Sequence, residues 1–287
     1  MLRVAILGST GQLGRDLVEV LEKSGDFEVV ALSHEQADCT QAESIRAALL
    51  SARPQTVINC AAFVRVDDCE DQAQEAFAVN ALGALKVARA CAEIDASCVY
   101  ISTDYVFDGA KHGPYLESDT ACPINVYGAS KLSGEYLVRQ TVPRWLIFRV
   151  ASLFGKSGAR GKGGNFVETI LAKAKRGDVL RVVGDIQISP TYTRDAARAL
   201  SELLKNATTG VIHSANGGTC TWHEFAKAAV ELCHLDVPVE AVSSAEYSTR
   251  ARRPKNSALA SERLGISQPH WRDALQAYLI EKGHAAN

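Results

Sequence analysis

The sequence predicts an α/β protein with a doubly wound parallel sheet, followed by a smaller α/β domain toward the C-terminus. Two observations predict this fold class. Short apolar runs alternate with longer segments of helical period, and the runs at 29–32 and 57–60 lack the polar alternation of half-exposed strands. The 287 residues are also 47% hydrophobic but only 7% aromatic, which is typical of such a sheet.

Each element follows in order from its apolar pattern and the turn residues around it. The predicted strands of the first half are residues 3–7, 27–32, 56–59 and 98–102, and the helices between them are residues 12–23, 44–51 and 74–94. Further along, helices at 166–176, 195–205, 222–235 and 271–282 alternate with strands at 179–183 and 211–214. Between the two parts, the glycine-rich basic segment 155–164 predicts a mobile loop, a lid or a boundary.

Three glycines follow the first predicted strand and open the first helix in the spacing GxxGxxG, at Gly8, Gly11 and Gly14. Glycines there allow a tight turn, and backbone N–H groups at the helix N-terminus can then bind a pyrophosphate. A plain strand-to-helix turn is the alternative. The context favours a Rossmann-type dinucleotide-binding domain in residues 1–154. Residues 155–287 would then be mainly the smaller, substrate-binding domain, although the chain can cross back later.

The end of the second predicted strand bears on the choice of cofactor. NAD-binding proteins commonly carry a carboxylate there for the ribose 2′-OH, but this strand ends Ala31-Leu32-Ser33-His34. Glu35 and Asp38 follow closely, so we expect NADPH and leave NADH open. Arg15 is a candidate for holding a 2′-phosphate and equally a solvated first-turn arginine.

Tyr127 and Lys131 stand four residues apart in a segment of helical period, so both side chains lie on one helix face. To act as a general acid and base near neutral pH, a tyrosine needs a pKa roughly two to three pH units below its usual value near 10. A nearby lysine ammonium and a cationic nicotinamide can supply that change. A lone Tyr-x-x-x-Lys is common, but this one follows a strand whose carboxyl end presents Ser102, Thr103 and Asp104.

These motifs occur together with several others. They are the glycine loop, Asn59-Cys60-Ala61-Ala62, Asn80, the run from Ser102 to Gly109, Tyr127-Gly128-Ala129-Ser130-Lys131 with Gly134-Glu135, and the segment from Arg252 to Ser257. In this combination the chain resembles the extended short-chain dehydrogenases/reductases and, within them, the dTDP-4-dehydrorhamnose reductase family. The resemblance extends from residue 2 to about residue 279, and the combination is far more specific than any single motif.

The resemblance implies an NAD(P)H-dependent oxidoreductase that reduces the C4 ketone of a nucleotide-linked deoxysugar, with dTDP-4-dehydro-L-rhamnose as the expected substrate. It implies that Thr103 binds the substrate oxygen, that Tyr127 delivers the proton, and that Lys131 lowers the tyrosine pKa and holds the nicotinamide ribose. Besides Tyr127 and Lys131, the implied cofactor-binding residues are Gly8, Thr10, Gly11, Gln12, Leu13, Gly14, Ser33, Asp38, Cys39, Ala61, Ala62, Phe63 and Asn80. The implied substrate-binding residues are Val64, Thr103, Asp104, Tyr105, Ser152 and Arg253.

The chain departs from the family pattern at two places. Where the family commonly has Arg-Thr-Ser-Trp, this chain ends the corresponding segment with Ser152, so an aromatic contact of the sugar pocket is missing. Where the family has Asp-Gln-x-Gly-x-Pro-Thr, residues 185–191 lack the glycine. We therefore expect the same class of reaction with a pocket that is more open or suited to a different sugar.

Two other functions share this kind of fold. One is an NADP-binding regulatory subunit similar to the non-catalytic subunit of methionine adenosyltransferase, but the intact Thr103, Tyr127 and Lys131 weigh against it. The other is an NAD-dependent nucleotide-sugar epimerase or dehydratase. The Ser-Thr-Asp-Tyr-Val-Phe run and the Arg-Arg-Pro-x-Asn-Ser segment favour the reductase.

Composition limits the partners and the location. A net charge of −2 argues against nucleic acid or a membrane surface as a partner. The eight cysteines are scattered without metal-ligand spacing, so the sequence places no metal site and leaves a metal requirement open; we expect no disulfide framework and a reducing cytoplasm. The first apolar run is too short for a signal segment or a membrane span. A homodimer is an open alternative, although no segment is an unmistakable interface.

Overall fold

The computed structural model describes residues 1–158 and 164–286. The helices are α1 (Gln12–Ser24), α2 (Ala42–Ala52), α3 (Val66–Asp71), α4 (Ala73–Phe77), α5 (Ala84–Glu93), α6 (Val126–Thr141), α7 (Phe166–Lys175), α8 (Thr193–Lys205), α9 (Trp222–Leu232) and α10 (Trp271–Glu281). The strands are β1 (Leu2–Leu7), β2 (Phe27–Leu32), β3 (Thr56–Asn59), β4 (Ser97–Thr103), β5 (Trp145–Val150), β6 (Leu153–Phe154), β7 (Leu180–Val183), β8 (Gln187–Ile188), β9 (Thr191–Tyr192), β10 (Gly210–Ser214), β11 (Cys220–Thr221) and β12 (Val239–Val242). Within the described ranges, no helix is both long and apolar enough to cross a bilayer.

Six parallel strands form the large sheet in the order β2-β1-β3-β4-β5-β10. The order reverses at β1, because the chain first builds outward through β2 and then continues on the other side with β3. In open α/β sheets, ligands bind outside the carboxyl ends of the strands at such a switch point. The predicted doubly wound parallel sheet is confirmed.

The side chains of β1 alternate between two apolar layers, as successive residues of a strand must. Val4 and Ile6 pack in the layer of α1 and α8, whereas Ala5 and Leu7 pack in the layer of α2, α5 and α6. All four side chains are fully buried. Helices thus cover both faces of the sheet, which explains why this run contains no polar alternation.

The chain crosses back to the large sheet after residue 155. Strand β10 pairs in parallel with β5, and α8 packs on α1 through the layer that contains Leu17 and Leu200. Residues 195–205 and 211–214 lie after the predicted boundary but pack with the large sheet, a crossing that the sequence prediction leaves open. An amphipathic pattern shows that a helix has an apolar face, but it does not show which sheet covers that face.

The smaller part is built from α7, α9 and α10 around a core that includes Leu171, Phe225 and Leu275. A second cluster joins α7 and α9 to β7, which pairs with β12. Of the predicted loop 155–164, residues 159–163 lie outside the described part of the chain. The division into a dinucleotide-binding and a substrate-binding domain at residue 154 stays a prediction.

The period of segment 74–94 predicts one continuous α-helix. In the structure, the π-helical stretch Ala78–Gly83 separates α4 from α5. Asn80 lies in this stretch and is fully buried. Its amide oxygen accepts from the Phe63 N–H at 2.8 Å, and its Nδ2 donates to the Phe63 carbonyl at 3.1 Å and to Ser130 Oγ at 3.0 Å. These bonds join the loop after β3 to α6.

Candidate active site

A cavity of about 540 Å³ opens at the carboxyl ends of the central strands. Its walls come from the segments that follow β1, β3, β4 and β5, from α6, and from α7 and α9. This is the edge of the sheet where the strand order predicts a ligand. Of the residues that the sequence singles out, those that line the cavity are Gly11, Gln12, Leu13, Gly14, Ala62, Val64, Thr103, Asp104, Tyr105, Tyr127, Lys131 and Ser152.

The glycine loop forms a cradle at the start of α1. Gly8 has φ +71°, and a Cβ on Gly14 would lie 2.3 Å from the Gly8 carbonyl oxygen. Gly11 caps the helix without a side-chain hydrogen bond, so the first N–H groups remain available to a ligand. Gln12 Nε2 is buried with no hydrogen-bond partner in the described residues. This cradle fits the pyrophosphate of a nicotinamide dinucleotide.

Thr103, Tyr127 and Lys131 line the same cavity as the glycine cradle. Thr103 is the last residue of β4, and Tyr127 and Lys131 lie in the first two turns of α6. The side chain of Asn125 caps the N-terminus of this helix by accepting from the Gly128 N–H. The Lys131 side chain is buried, donates from Nζ to the Ile101 carbonyl at 2.6 Å, and lies 4.0 Å from the centre of the Tyr100 ring. The Lys131 ammonium is therefore held against β4.

Burial acts on both ionisable groups of this pair. Burial raises the pKa of Tyr127, although contact with the Thr103 hydroxyl opposes that rise. Burial also lowers the pKa of Lys131 to about 7, with the Glu135 carboxylate acting in the opposite direction. In the chain by itself the pKa of Tyr127 is raised, because removing a phenolate from water costs more than its neighbours return. The lowered pKa that the sequence predicts involves the cationic nicotinamide as well and stays a prediction.

Asp104 is buried directly beside Thr103. The Thr103 hydroxyl donates to Asp104 Oδ1 at 3.0 Å and accepts from the Tyr105 N–H at 3.2 Å. Burial raises the pKa of Asp104 to about 6, although hydrogen bonds from Ser257 and Thr103 oppose the rise. The second carboxylate oxygen, Oδ2, is buried without a hydrogen-bond partner in the described ranges. An acceptor of this kind at a cavity wall suits a hydroxyl group of a ligand.

Several predicted site residues lie outside the cavity wall. Arg253 forms an ion pair with Asp67 at 2.7 Å. This contact lowers the pKa of Asp67 to about 2, although burial of the carboxylate acts in the opposite direction. The Asp38 carboxylate accepts hydrogen bonds from Thr40 within its own turn at 2.8 Å. The others that do not line the wall are Gly8, Thr10, Ser33, Cys39, Ala61, Phe63 and Asn80.

Sequence reasoning missed the wall that the smaller part supplies. Asn165, Phe166 and Trp222 line the cavity, and the two rings have centroids 4.6 Å apart. Asn165 caps α7 and also donates from Nδ2 to the Tyr278 hydroxyl at 2.9 Å. Ser152, which also lines the cavity, adopts φ +42°. The aromatic surface therefore comes from Phe166 and Trp222, for which only their place at predicted helix starts gave a signal.

A nucleotide cradle and a tyrosine–lysine pair that share one cavity are typical of the extended short-chain dehydrogenases/reductases. The chain belongs to the RmlD substrate binding domain family, whose model matches residues 2–283. The resemblance on which the sequence predictions rest is thereby confirmed.

Curated relatives span the whole chain. The chain is 39% identical to the spore coat polysaccharide biosynthesis protein SpsK of Bacillus subtilis, with all of both chains covered. It is 36% identical to the dTDP-4-dehydrorhamnose reductase of Aggregatibacter actinomycetemcomitans, covering 96% of this chain and 98% of the relative. The similarity therefore includes both parts of the molecule.

Solved structures show the same fold. A dTDP-4-dehydrorhamnose reductase from Bacillus anthracis in complex with NADP matches with a TM-score of 0.93 and 36% identity, over 98% of this chain and all of that one. A UDP-glucose 4-epimerase from Thermus thermophilus in complex with NAD reaches a TM-score of 0.84 at 20% identity, over 99% of this chain and all of the other. The second likeness concerns the fold alone.

Proposed function

We propose that this chain uses NADPH to reduce the C4 ketone of a dTDP-linked 6-deoxyhexose, with dTDP-4-dehydro-L-rhamnose giving dTDP-L-rhamnose. The observation that carries the proposal is the convergence of Thr103, Tyr127 and buried Lys131 in the cavity that the glycine cradle borders. The relative from Aggregatibacter actinomycetemcomitans bears the name of this reductase. The similar Bacillus anthracis structure contains NADP.

The cofactor's place follows from the cradle. Backbone N–H groups of Gln12 and Leu13 would hold the pyrophosphate, and the Lys131 ammonium would hold the nicotinamide ribose. Gly14 leaves no room for a side chain between the helix and the loop. When bound, NADPH supplies a hydride to the carbonyl carbon. β2 ends at Leu32 without a carboxylate, which favours NADPH, and NADH stays an alternative because Glu35 and Asp38 follow closely.

Tyr127 is the proton donor of the proposed reaction. As the ketone becomes an alcohol, its oxygen gains a proton, and the phenol is the acidic group at the cavity wall beside Thr103. Burial keeps this phenol protonated in the chain by itself. The charge on Lys131 stabilises the phenolate that forms during transfer, so the pair works only while Lys131 is protonated.

Thr103 and Asp104 together set the direction of one hydroxyl hydrogen. Thr103 donates to Asp104 while that carboxylate is ionised, so its oxygen can only accept from another group. Once Asp104 is protonated, the Thr103 hydrogen is free to turn toward the substrate oxygen. We propose that Asp104 also accepts a hydrogen bond from a sugar hydroxyl through Oδ2, which is buried without a partner in the described part of the chain.

The nucleotide-sugar would lie along the aromatic wall. Phe166 and Trp222 offer two neighbouring rings for an apolar face of the ligand, whereas Ser152 contributes no ring to the cavity wall. Val64 and Tyr105 also line the cavity. For Arg253 to contact the diphosphate, its guanidinium would have to exchange Asp67 for a phosphate oxygen.

The test is an absorbance assay of the purified protein with NADPH, and separately NADH, on addition of dTDP-4-dehydro-6-deoxy-L-mannose. We expect oxidation of NADPH and a kcat about 10³-fold lower for Tyr127→Phe, because a positioned acid contributes roughly 10²–10⁴-fold. NADPH affinity should change little in that variant. Tight NADPH binding without turnover on any of several 4-keto sugars would contradict the proposal and favour a regulatory subunit.

The remaining predictions concern surroundings rather than chemistry. We propose that the reaction takes place in the cytoplasm, as the dispersed cysteines indicate. A homodimer stays a prediction that sedimentation of the purified chain would test. A metal ion is not part of the proposal, and the described residues contain no cluster of three or more His, Cys, Asp or Glu side chains that could hold one.

A further inference from the structure

A buried ion pair lies behind the proposed acid–base pair. Glu135 and Arg149 have side chains that are only 2% and 6% exposed. Arg149 donates from Nε to Glu135 Oε1 at 2.8 Å and from Nη2 to Oε2 at 2.6 Å, so the contact is bidentate. Removing two charges from water is expensive, and apolar residues of similar size often stabilise a fold as well or better. Stability alone therefore does not explain the pair.

The pair connects the elements that carry the site. Glu135 lies on α6, one turn after Lys131, and its Oε1 also accepts from Ser102 Oγ at 2.5 Å. Ser102 directly precedes Thr103 on β4, and it stands opposite Arg149 in the β4–β5 register. One carboxylate thus fixes the helix of the proton donor against the strand that presents Thr103.

The guanidinium of Arg149 is itself held from two further sides. Its Cζ lies 5.2 Å from the centre of the Phe107 ring, and Nη1 is 3.4 Å from His213 Nε2. His213 Nδ1 faces the carbonyls of Tyr115 at 3.2 Å and Ala260 at 3.0 Å, so Nδ1 carries the hydrogen. Burial and the Arg149 charge lower the pKa of His213. A neutral imidazole leaves Nε2 as an acceptor toward Arg149.

The charge of Glu135 also acts on Lys131. Burial favours the neutral amine, and the Glu135 carboxylate favours the ammonium, with smaller effects of the same sign from Cys60 and Cys39. On the strand below, Glu135 and burial both raise the pKa of Tyr100, which keeps that ring neutral beneath the ammonium. The described groups that face Glu135 directly are Ser102 from β4 and Arg149 from β5.

We propose that Glu135 is a positioning residue for the reduction: it fixes α6 against β4 and holds Lys131 in its charged form. This inference rests on the proposed function for its kinetic part, since the geometry matters to turnover only if Tyr127 and Thr103 act on a substrate. Its electrostatic part concerns Lys131 alone and does not need a substrate.

The decisive variant removes both charges of the pair. Glu135→Gln alone leaves Arg149 buried without a counter-charge, which can prevent folding. Glu135→Gln combined with Arg149→Met avoids that cost and keeps an acceptor for Ser102. Glu135→Asp is the complementary variant, because it keeps the charge but shortens the side chain by one methylene.

The first readout is the titration of Lys131, followed by NMR of ¹³Cε-labelled lysine in the full chain and assigned with Lys131→Arg. We expect a midpoint near 7 in the wild type and a lower midpoint in the double variant. Glu135→Asp should stay near the wild-type midpoint. The second readout is kcat at pH 7, which we expect to fall at least about tenfold in both variants while NADPH affinity changes less.

Asp195→Asn is the matched control, because Asp195 is a buried acid of α8 that pairs with Arg198 and accepts from Asn216. It should lower the melting temperature without moving the Lys131 midpoint or kcat. An unchanged midpoint together with an unchanged kcat in the double variant would overturn the inference. If the wild type itself oxidises no NADPH with any 4-keto sugar, the proposed function fails, and the NMR midpoint still decides the role of Glu135.

Discussion

The two sides of the cavity present different chemical groups to a ligand: backbone groups on one side and ionisable side chains on the other. At the cofactor side, β1 and α1 present backbone groups, and the side chains behind them, such as Leu13 and Leu17, are apolar. At the chemical side, β4 and α6 bury Thr103, Asp104 and Lys131. A pyrophosphate can be held by backbone N–H groups, whereas proton transfer needs ionisable side chains whose pKa values burial can change.

This difference affects stability. The glycine cradle gains its shape from the lack of side chains and leaves its neighbours free to pack as an ordinary core. The side with the tyrosine and the lysine carries groups whose charged forms are destabilised by burial, as the raised pKa of Asp104 and the lowered pKa of Lys131 show. We therefore expect substitutions at the cofactor side to weaken NADPH binding. Substitutions that remove a buried charge at the chemical side should lower activity and raise the stability of the fold.

The largest effect on binding is expected from Gly14→Ala. A Cβ there would lie 2.3 Å from the Gly8 carbonyl oxygen and 2.9 Å from Ser9 Cα, so backbone must move and the cradle opens. We expect an NADPH dissociation constant at least about 100-fold higher, on the order of 3 kcal/mol. NADPH fluorescence titration measures it. Gly217→Ala is the control, because the nearest atom to its Cβ is 3.5 Å away; equal affinities for both variants would contradict the cradle.

Asp104→Asn separates stability from function on the chemical side. The Asp104 pKa is raised to about 6, so its contribution to stability is present below its unfolded pKa and is lost as pH rises through 6. The gain of the variant relative to wild type should therefore increase by about 1.4 kcal/mol between pH 5 and pH 7.5, toward a total of about 3 kcal/mol. Melting temperatures across that range measure the gain.

The control for this titration is Asp185→Asn. Lys255 lowers the pKa of the exposed Asp185 to about 2, so its contribution to stability is lost only as pH falls through 2. The difference between this variant and wild type should stay constant from pH 5 to pH 7.5. A similarly constant difference for Asp104→Asn would contradict a buried carboxylate that ionises near pH 6.

The smallest of these effects is expected from Trp222→Ala, which tests the aromatic wall. Removing one ring of the Phe166–Trp222 pair should raise KM for the nucleotide-sugar roughly tenfold, about 1.4 kcal/mol, because stacking on an aromatic ring contributes about that much. The NADPH dissociation constant should be unchanged. A change in NADPH affinity with no change in KM would place this wall on the cofactor side instead.

The sequence predicts the parts of the site that are local in the chain. The glycine spacing and the Tyr127–Lys131 spacing each lie within one strand–helix junction or one helix, so residue order alone brings their members together. The wall from Phe166 and Trp222 joins helices that are distant in the chain, and the contact of Glu135 with Arg149 joins two separate elements, α6 and β5. Such contacts depend on how α6, β5 and the smaller part pack, which periodicity does not specify.

The return of the chain to the large sheet after residue 155 could not be predicted for the same reason. Helix α8 has a strongly apolar face, which a single sequence reveals, but either part of the molecule could cover it. The π-helical stretch around Asn80 also depends on distant partners, because its amide bonds to Phe63 and Ser130. Regular elements were therefore predictable, whereas their partners required the three-dimensional structure.

The most direct measurement of the central claim is the stability and turnover of Lys131→Met, determined on the same preparation. The Lys131 pKa is lowered to about 7, so the cost of its buried charge is fully present below pH 7 and is relieved as pH rises toward the unfolded pKa. We expect the variant to melt several degrees higher than wild type at pH 6, by a smaller margin at pH 8.5, and to lose NADPH-dependent turnover about 100-fold or more. A variant that melts lower at pH 6, or that keeps its turnover, would contradict the account.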